Sequence, residues 1–255
     1  MNADDFGASA ETVAATIGCL EQGAVTSATI MATMPAAEQA LAYARGRPDL
    51  SFGVHLTFVG DGEERPAADP GEVPALVDGT GRFPRTRLVR LRALARRLPV
   101  GQIERELAAQ IGLVAAAGVP VSHVDSHRHL HKLAPFRAAL RRVLPGFGIE
   151  RVRTVQDVYL GRPLLAATYW VGPLWRRPLR RSFRTTDHFY MPASTGDLGW
   201  ADELLGRVGD LPGGTLEVGV HPGPEGWRAD ERRSAVRLAA SARALGHELV
   251  SWREV

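Results

Sequence analysis

Apolar residues recur along this chain at two alternating periods, and that alternation predicts its elements. Residues 10–22 place Val13, Ile17 and Leu20 on one helical face, with Ser9 as the cap and Gly23 as the stop. Residues 26–33 (TSATIMAT) read as a buried strand, followed by a helix over 35–45 with proline in its first turn. A strand at 50–58 leads into a long loop over 59–84 that is rich in proline and glycine. A short helix within 84–99 then carries Leu88, Leu91, Leu94 and Leu98 at helical spacing, and an amphipathic helix spans 101–117.

Beyond these, the pattern predicts a strand at 119–124, a helix at 134–143 and a strand near 151–154. An irregular stretch is expected to about residue 199, then a helix at 200–208, a strand at 215–220, a helix at 230–245 and a closing strand at 248–252. Strands separated by helices pair in parallel through right-handed crossovers, which makes the fold class α/β. Such sheets put their chemistry at the C-terminal ends of the strands.

Composition narrows the picture. At 255 residues, 45% hydrophobic and 23% charged, the chain suits one globular domain over residues 1–255. No apolar run reaches the roughly 18 residues that a membrane span needs, and the opening Met1 to Asp5 is too acidic for a signal peptide. A cytoplasmic location is therefore expected. With Cys19 as the sole cysteine, a metal would have to be held by His, Asp or Glu. Lys132 is the sole lysine among 31 basic residues, an imbalance that reflects a GC-rich coding sequence rather than a basic partner. The arginines of 84–99 read as the solvated face of a helix. Those of 170–184, mixed with two tryptophans, read either as a surface excursion covering the core or as a lid touching a sugar or an anionic head group. Neither stretch matches a nucleic-acid module, and no nucleic-acid partner is expected.

The candidate chemistry is concentrated at the predicted strand ends. His123 to His131 (HVDSHRHLH) holds four of the eight histidines, and in an extended chain His127, His129 and His131 would share one side. His55 lies late in the strand SFGVHLTF, and His221 ends LEVGV. Asp4 and Asp5 stand before the first helix, at the equivalent point of a first strand. Only three residues precede Asp4, so that strand is expected to be truncated. Either the true start lies upstream of Met1, or the protein tolerates a gap with unpaired edges. Asp and His side chains held together leave coordination positions open for water on a divalent ion. Adjacent carboxylates in an extended chain would point to opposite sides, one toward the metal and one toward the water or a supporting histidine.

Together, NADDFG (2–7), GVHL (53–56), HVDSHRHLH and EVGVHPG (217–223) resemble, in order and spacing, the YdjC/ChbG-like carbohydrate deacetylases. The resemblance implies an irregular TIM-like (β/α) barrel related to polysaccharide deacetylases. It implies removal of N-acetyl groups from an acetylated amino sugar, oligosaccharide or glycoconjugate, with one divalent ion, Mg2+ or Zn2+, as cofactor. On its motifs, Asp5, His55 and His127 would bind the metal, Asp4 would act as general base and His221 as general acid. Asp125, His129 and His131 would orient the ligands or contact sugar hydroxyls, and Asp187 in TTDHF would line the substrate mouth or belong to a structural loop. The resemblance leaves the oligomeric state open, a homodimer being common among related enzymes.

Three other readings stand beside this one. An amidohydrolase or phosphoesterase barrel also uses alternating histidines, but a bridging lysine would have to be Lys132, just after the cluster and off any separate strand. An iron oxygenase also uses two histidines and a carboxylate, typically on a scaffold with few helices. If the first strand is truly missing, the chain would be a catalytically weak or sugar-binding homologue.

Overall fold

The computed structural model describes residues 1–60, 64–161, 167–193 and 199–255. Parts of the predicted 59–84 loop and of the irregular stretch to 199 lie outside these residues. The elements are β1 (Asn2–Phe6), α1 (Ala10–Glu21), β2 (Ser27–Ile30), α2 (Ala37–Gly46), β3 (Ser51–Leu56), α3 (Thr86–Leu94) and α4 (Val100–Ala116). They continue with β4 (Val121–Ser126), a 3-10 segment (His127–Lys132), α5 (Ala134–Val143), a 3-10 turn (Leu144–Phe147) and α6 (Ala167–Ser182). The last are β5 (His188–Tyr190), α7 (Trp200–Val208), β6 (Leu216–Val220) and α8 (Gly226–Ala244).

All six strands run parallel in the order β4-β3-β2-β1-β6-β5, a curled α/β sheet. The segment after the second 3-10 turn joins the two edges. On the β4 side Val124 N–H donates to its Arg151 O and Val124 O accepts from its Arg153 N–H, and the N–H groups of Asp157 and Val158 donate to Phe189 O in β5, both at 3.2 Å. The strand predicted near 151–154 is thus present only as isolated bridges.

The first strand corrects the expectation of a gap. β1 is five fully buried residues, and Asn2 and Ala3 pair both with Ser27 and Ala28 of β2 and with Gly219 and Val220 of β6. Asp4 and Asp5 belong to the strand instead of following it. A second correction concerns 248–252, which forms no strand: the side chains of Thr26 and Ser27 hold Val250 O and Trp252 N in place of a backbone ladder. A third is α6, a helix where irregular chain was expected, with Pro173 and Pro178 inside it. An internal proline costs about 3 kcal/mol. Opposing that cost, Leu179 is fully buried, the Arg176 guanidinium pairs with Asp157 at 2.6 Å, and Trp175 lies under Lys132 Nζ at 4.8 Å.

Strand alternation sends the apolar residues outward to the helices. Ala28, Ile30, Phe52, Val54, Leu56, Val124, Val218 and Val220 are all nearly or wholly buried there. The opposite face is polar. Asn2, Asp4, Thr29, His55, Asp125, Arg153 and Glu217 bond to one another inside the ring. Gly53 belongs to that inner face, where a Cβ would stand 2.7 Å from the His123 ring. No described helix is long and apolar enough to cross a membrane.

Candidate metal and catalytic site

The centre of the ring is Arg153, wholly buried and reached by three carboxylates. Its Nη1 and Nη2 donate to Asp4 at 2.5 and 2.7 Å, Nη1 also pairs with Asp125 at 2.7 Å, and Nη2 with Glu217 at 2.8 Å. Its guanidinium also lies over the Phe189 ring at 4.9 Å. Burial by itself would raise Asp4, but the Arg153 charge and hydrogen bonds drive it far below the usual carboxylate range. The same charge offsets burial only in part at Glu217, which stays above its ordinary value.

Asp5 faces a different environment. Its φ of +59° is left-handed, a conformation costing about 1 kcal/mol or more outside glycine, and the β1–β2 register shifts between Ala3 and Phe6. The simple alternation expected for adjacent aspartates therefore fails. The kink brings Asp5 Oδ1 within 3.3 Å of His55 Nε2 and 3.2 Å of His127 Nδ1, while Oδ2 accepts from Arg228 Nη2 at 2.6 Å. One atom from each of Asp5, His55 and His127 lies within 4.8 Å of the other two.

His55 is aimed by a carboxylate behind it. Its Nδ1–H donates to Asp125 Oδ1 at 2.7 Å, which leaves Nε2 facing Asp5. That carboxylate–histidine arrangement is the one that orients metal-ligating imidazoles. Burial would push the His55 imidazole down, but Asp125, Asp4 and Asp5 around it raise it to about 9. Burial would likewise raise Asp5, yet the His127 hydrogen bond and the charges of His221 and His55 hold it well below the carboxylate range. Two imidazole nitrogens and a carboxylate oxygen converging from three segments fit a divalent ion as a donor set.

The histidine run does not continue as a strand. Arg128 and His129 take φ of +57° and +54°, turning the chain sharply after β4 into the 3-10 segment. Of the expected alternating trio only His127 reaches Asp5. His131 is buried, its Nδ1 sharing a 2.7 Å hydrogen bond with Ser126 Oγ, and burial with the Arg153 charge lowers it to about 3. His129 packs edge-on to Phe189 at 5.9 Å and is pushed well down by burial and Lys132. His123 stacks on Trp252 at 4.5 Å.

His221 comes from the end of β6; burial would lower its pKa, but the Glu231 hydrogen bond and then the charges of Asp5 and Asp4 raise it. Asp187 lies elsewhere. It precedes β5, at the N-terminal end of the parallel strands, where it accepts from Thr215 N at 2.9 Å and Thr215 Oγ1 at 3.0 Å. That end also holds a cavity of about 350 Å³, lined by Met1, Leu238, His247 and Trp252 among others, away from the donor triad.

Sequence reasoning missed Arg153, Glu217, Arg228 and Glu231. Glu217 alone carried a signal: a charge inside an apolar strand run such as LEVGV has to be paired when both faces are covered. Arg228 and Glu231 sit in an ordinary charged helix pattern and carried none.

The family model for YdjC-like proteins matches residues 1–248. The chain belongs to the YdjC-like family. A carbohydrate deacetylase of Geobacillus stearothermophilus is 44% identical over 228 residues, 87% of this chain and 78% of that protein. Another, from Thermoanaerobacter pseudethanolicus, is 29% identical over 87% of this chain and 79% of its own length. Among solved structures, an Enterococcus faecalis V583 protein assigned to cellobiose-phosphate cleavage superposes with a TM-score of 0.81, at 22% identity, over 99% of this chain and 96% of its own. That structure's fold is thereby shared over nearly the whole chain.

Proposed function

We propose that this YdjC-like protein is a metal-dependent hydrolase that removes N-acetyl groups from an acetylated amino sugar, oligosaccharide or glycoconjugate. The observation that carries the reading is the convergence of His55 Nε2 and His127 Nδ1 on Asp5 Oδ1, with Asp125 fixing the tautomer of His55. It is supported by the deacetylases to which the chain is similar over most of its length. When bound, a divalent ion supplies Lewis-acid polarisation of the acetyl carbonyl and a water acidified for attack. Two imidazoles and one carboxylate suit Zn2+ better than Mg2+, which prefers all-oxygen ligands.

The chain's own groups divide the remaining work. Asp4, kept ionised by Arg153 throughout the working pH range, accepts the proton of the attacking water. Asp4 Oδ1 accepts from both Arg153 Nη2 and Asn2 Nδ2, so the proton goes to Oδ2, which Arg153 Nη1 holds by one lone pair. His221 gives a proton to the departing sugar nitrogen, help typically worth about 10²–10⁴-fold. Asp125 holds His55, and Arg228 holds the outer oxygen of Asp5.

Acetate release from a panel of N-acetylated sugars and oligosaccharides tests the reading. Chelator-treated protein should be inactive, divalent metal should restore release, and His127→Ala should abolish both metal retention and release. A metal-loaded wild-type protein that releases no acetate across a broad panel would overturn it.

A further inference from the structure

We infer that Glu231 is a positioning residue for His221, fixing the ring so that Nδ1 faces α8 and Nε2 faces the substrate. This rests on the reading of His221 as the proton donor. From the second turn of α8, one carboxylate oxygen, Oε2, accepts the backbone N–H of His221 at 2.7 Å and lies 3.2 Å from its Nδ1. Attachment to both the backbone and the ring of one residue removes the ring's freedom to flip. An ionised carboxylate only accepts, so Nδ1 carries the hydrogen and Nε2 is the nitrogen left for chemistry.

The surroundings of Glu231 point the same way. It is almost wholly buried, and its Oε1 has no hydrogen-bond partner among the described residues. The core-facing side of α8 is otherwise made of residues such as Ala235, Leu238 and Ala239, which make no demand for a carboxylate there. A buried carboxylate is costly unless paired, and the pairing on view is with His221. Trp227, one turn earlier, packs edge-on to the same ring at 5.5 Å. Gly223 keeps this turn close: a Cβ there would stand 2.6 Å from Arg228 Cβ.

The charged groups that bear on His221 are Asp4 and Asp5 from β1 and Glu231 from α8. In the reaction the water oxygen becomes the second oxygen of acetate, and the acetyl C–N bond breaks with its electron pair on nitrogen. The Nε2 proton passes to that nitrogen, while the Nδ1 hydrogen stays on the ring, donated in a hydrogen bond to Glu231.

Steady-state kinetics on Glu231→Gln, Glu231→Asp, His221→Ala and the His221→Ala/Glu231→Gln double variant test this, together with long-range 1H–15N NMR of the His221 ring. Glu231→Gln should lower kcat by roughly 10- to 100-fold, a typical cost of losing an orienting partner, with KM and metal content unchanged. Its alkaline limb should move to lower pH, because the imidazolium loses a negative neighbour. Glu231→Asp should recover part of kcat, and the double variant should be no slower than His221→Ala. A wild-type kcat and pH profile in Glu231→Gln, or a further loss on the His221→Ala background, would overturn the inference. If the wild-type protein released no acetate at all, the spectra would still decide. An Nδ1-protonated ring that loses this preference in Glu231→Gln supports the positioning role, and a mixed tautomer indifferent to the substitution overturns it.

Discussion

Asp4 and Asp5 are neighbours in one strand, and they meet opposite environments. Asp4 turns into the ring, where Arg153 donates to both of its oxygens and Asn2 Nδ2 adds a bond at 2.8 Å. Asp5, kinked by a left-handed φ, offers one oxygen to Arg228 and the other to two imidazole nitrogens at 3.2 and 3.3 Å. In the first cluster a fixed cation of the protein takes both carboxylate oxygens. The second brings donors together around a position that a cation from solution can take. A buried carboxylate is closed to a metal where the chain's own cation takes both of its oxygens, and is open as a ligand where the cation takes only one.

The largest effect should come from breaking the second cluster. Asp5→Asn should reduce metal affinity by more than the roughly 10- to 100-fold typical of losing an outer-shell partner, and acetate release with it. Isothermal titration of chelated protein with Zn2+, paired with the acetate assay, checks this. Breaking the first cluster should instead show in stability. Arg153→Met strands Asp4, Asp125 and Glu217 without their cation and should cost about 3–5 kcal/mol, read from urea unfolding at neutral pH.

The same contrast predicts how stability depends on pH. Asp4 has a folded pKa below its unfolded value of 3.8, so the stability it contributes is complete above that value. It should be lost as pH falls through the acidic range below 3.8, where the unfolded chain takes up the proton first. Urea midpoints measured from pH 5 downward should therefore drop, and drop less in Asp4→Asn. The smallest effect belongs to Asp187→Ala. It removes hydrogen bonds to Thr215 at the far end of the strands, and should cost about 1 kcal/mol of stability while leaving kcat and KM unchanged.

The parallel α/β fold was legible because each buried strand and amphipathic helix announces itself by its own period. His55, His127 and His221 were legible for a related reason: a histidine at the end of an apolar run is placed by the strand before it. What escaped depended on contacts between segments far apart in sequence. The left-handed turn at Arg128 and His129, which takes His129 and His131 away from Asp5, cannot be read from alternating letters. Arg153 is one arginine among many until three carboxylates from β1, β4 and β6 are seen to close on it. The helix α6 survives two prolines only because Leu179, Trp175 and Arg176 find partners elsewhere. Asp187 shows the reverse case, a residue attractive beside a histidine that serves the opposite end of the strands.

Metal stoichiometry across the neighbouring aspartates tests the account most directly. Wild-type, Asp4→Asn and Asp5→Asn proteins, each confirmed folded by circular dichroism, would be stripped with chelator, reloaded with Zn2+, freed of excess metal and analysed by inductively coupled plasma mass spectrometry. The account predicts one ion per chain in the wild type and in Asp4→Asn, and none retained by Asp5→Asn. Equal metal in both variants, or loss confined to Asp4→Asn, would contradict it.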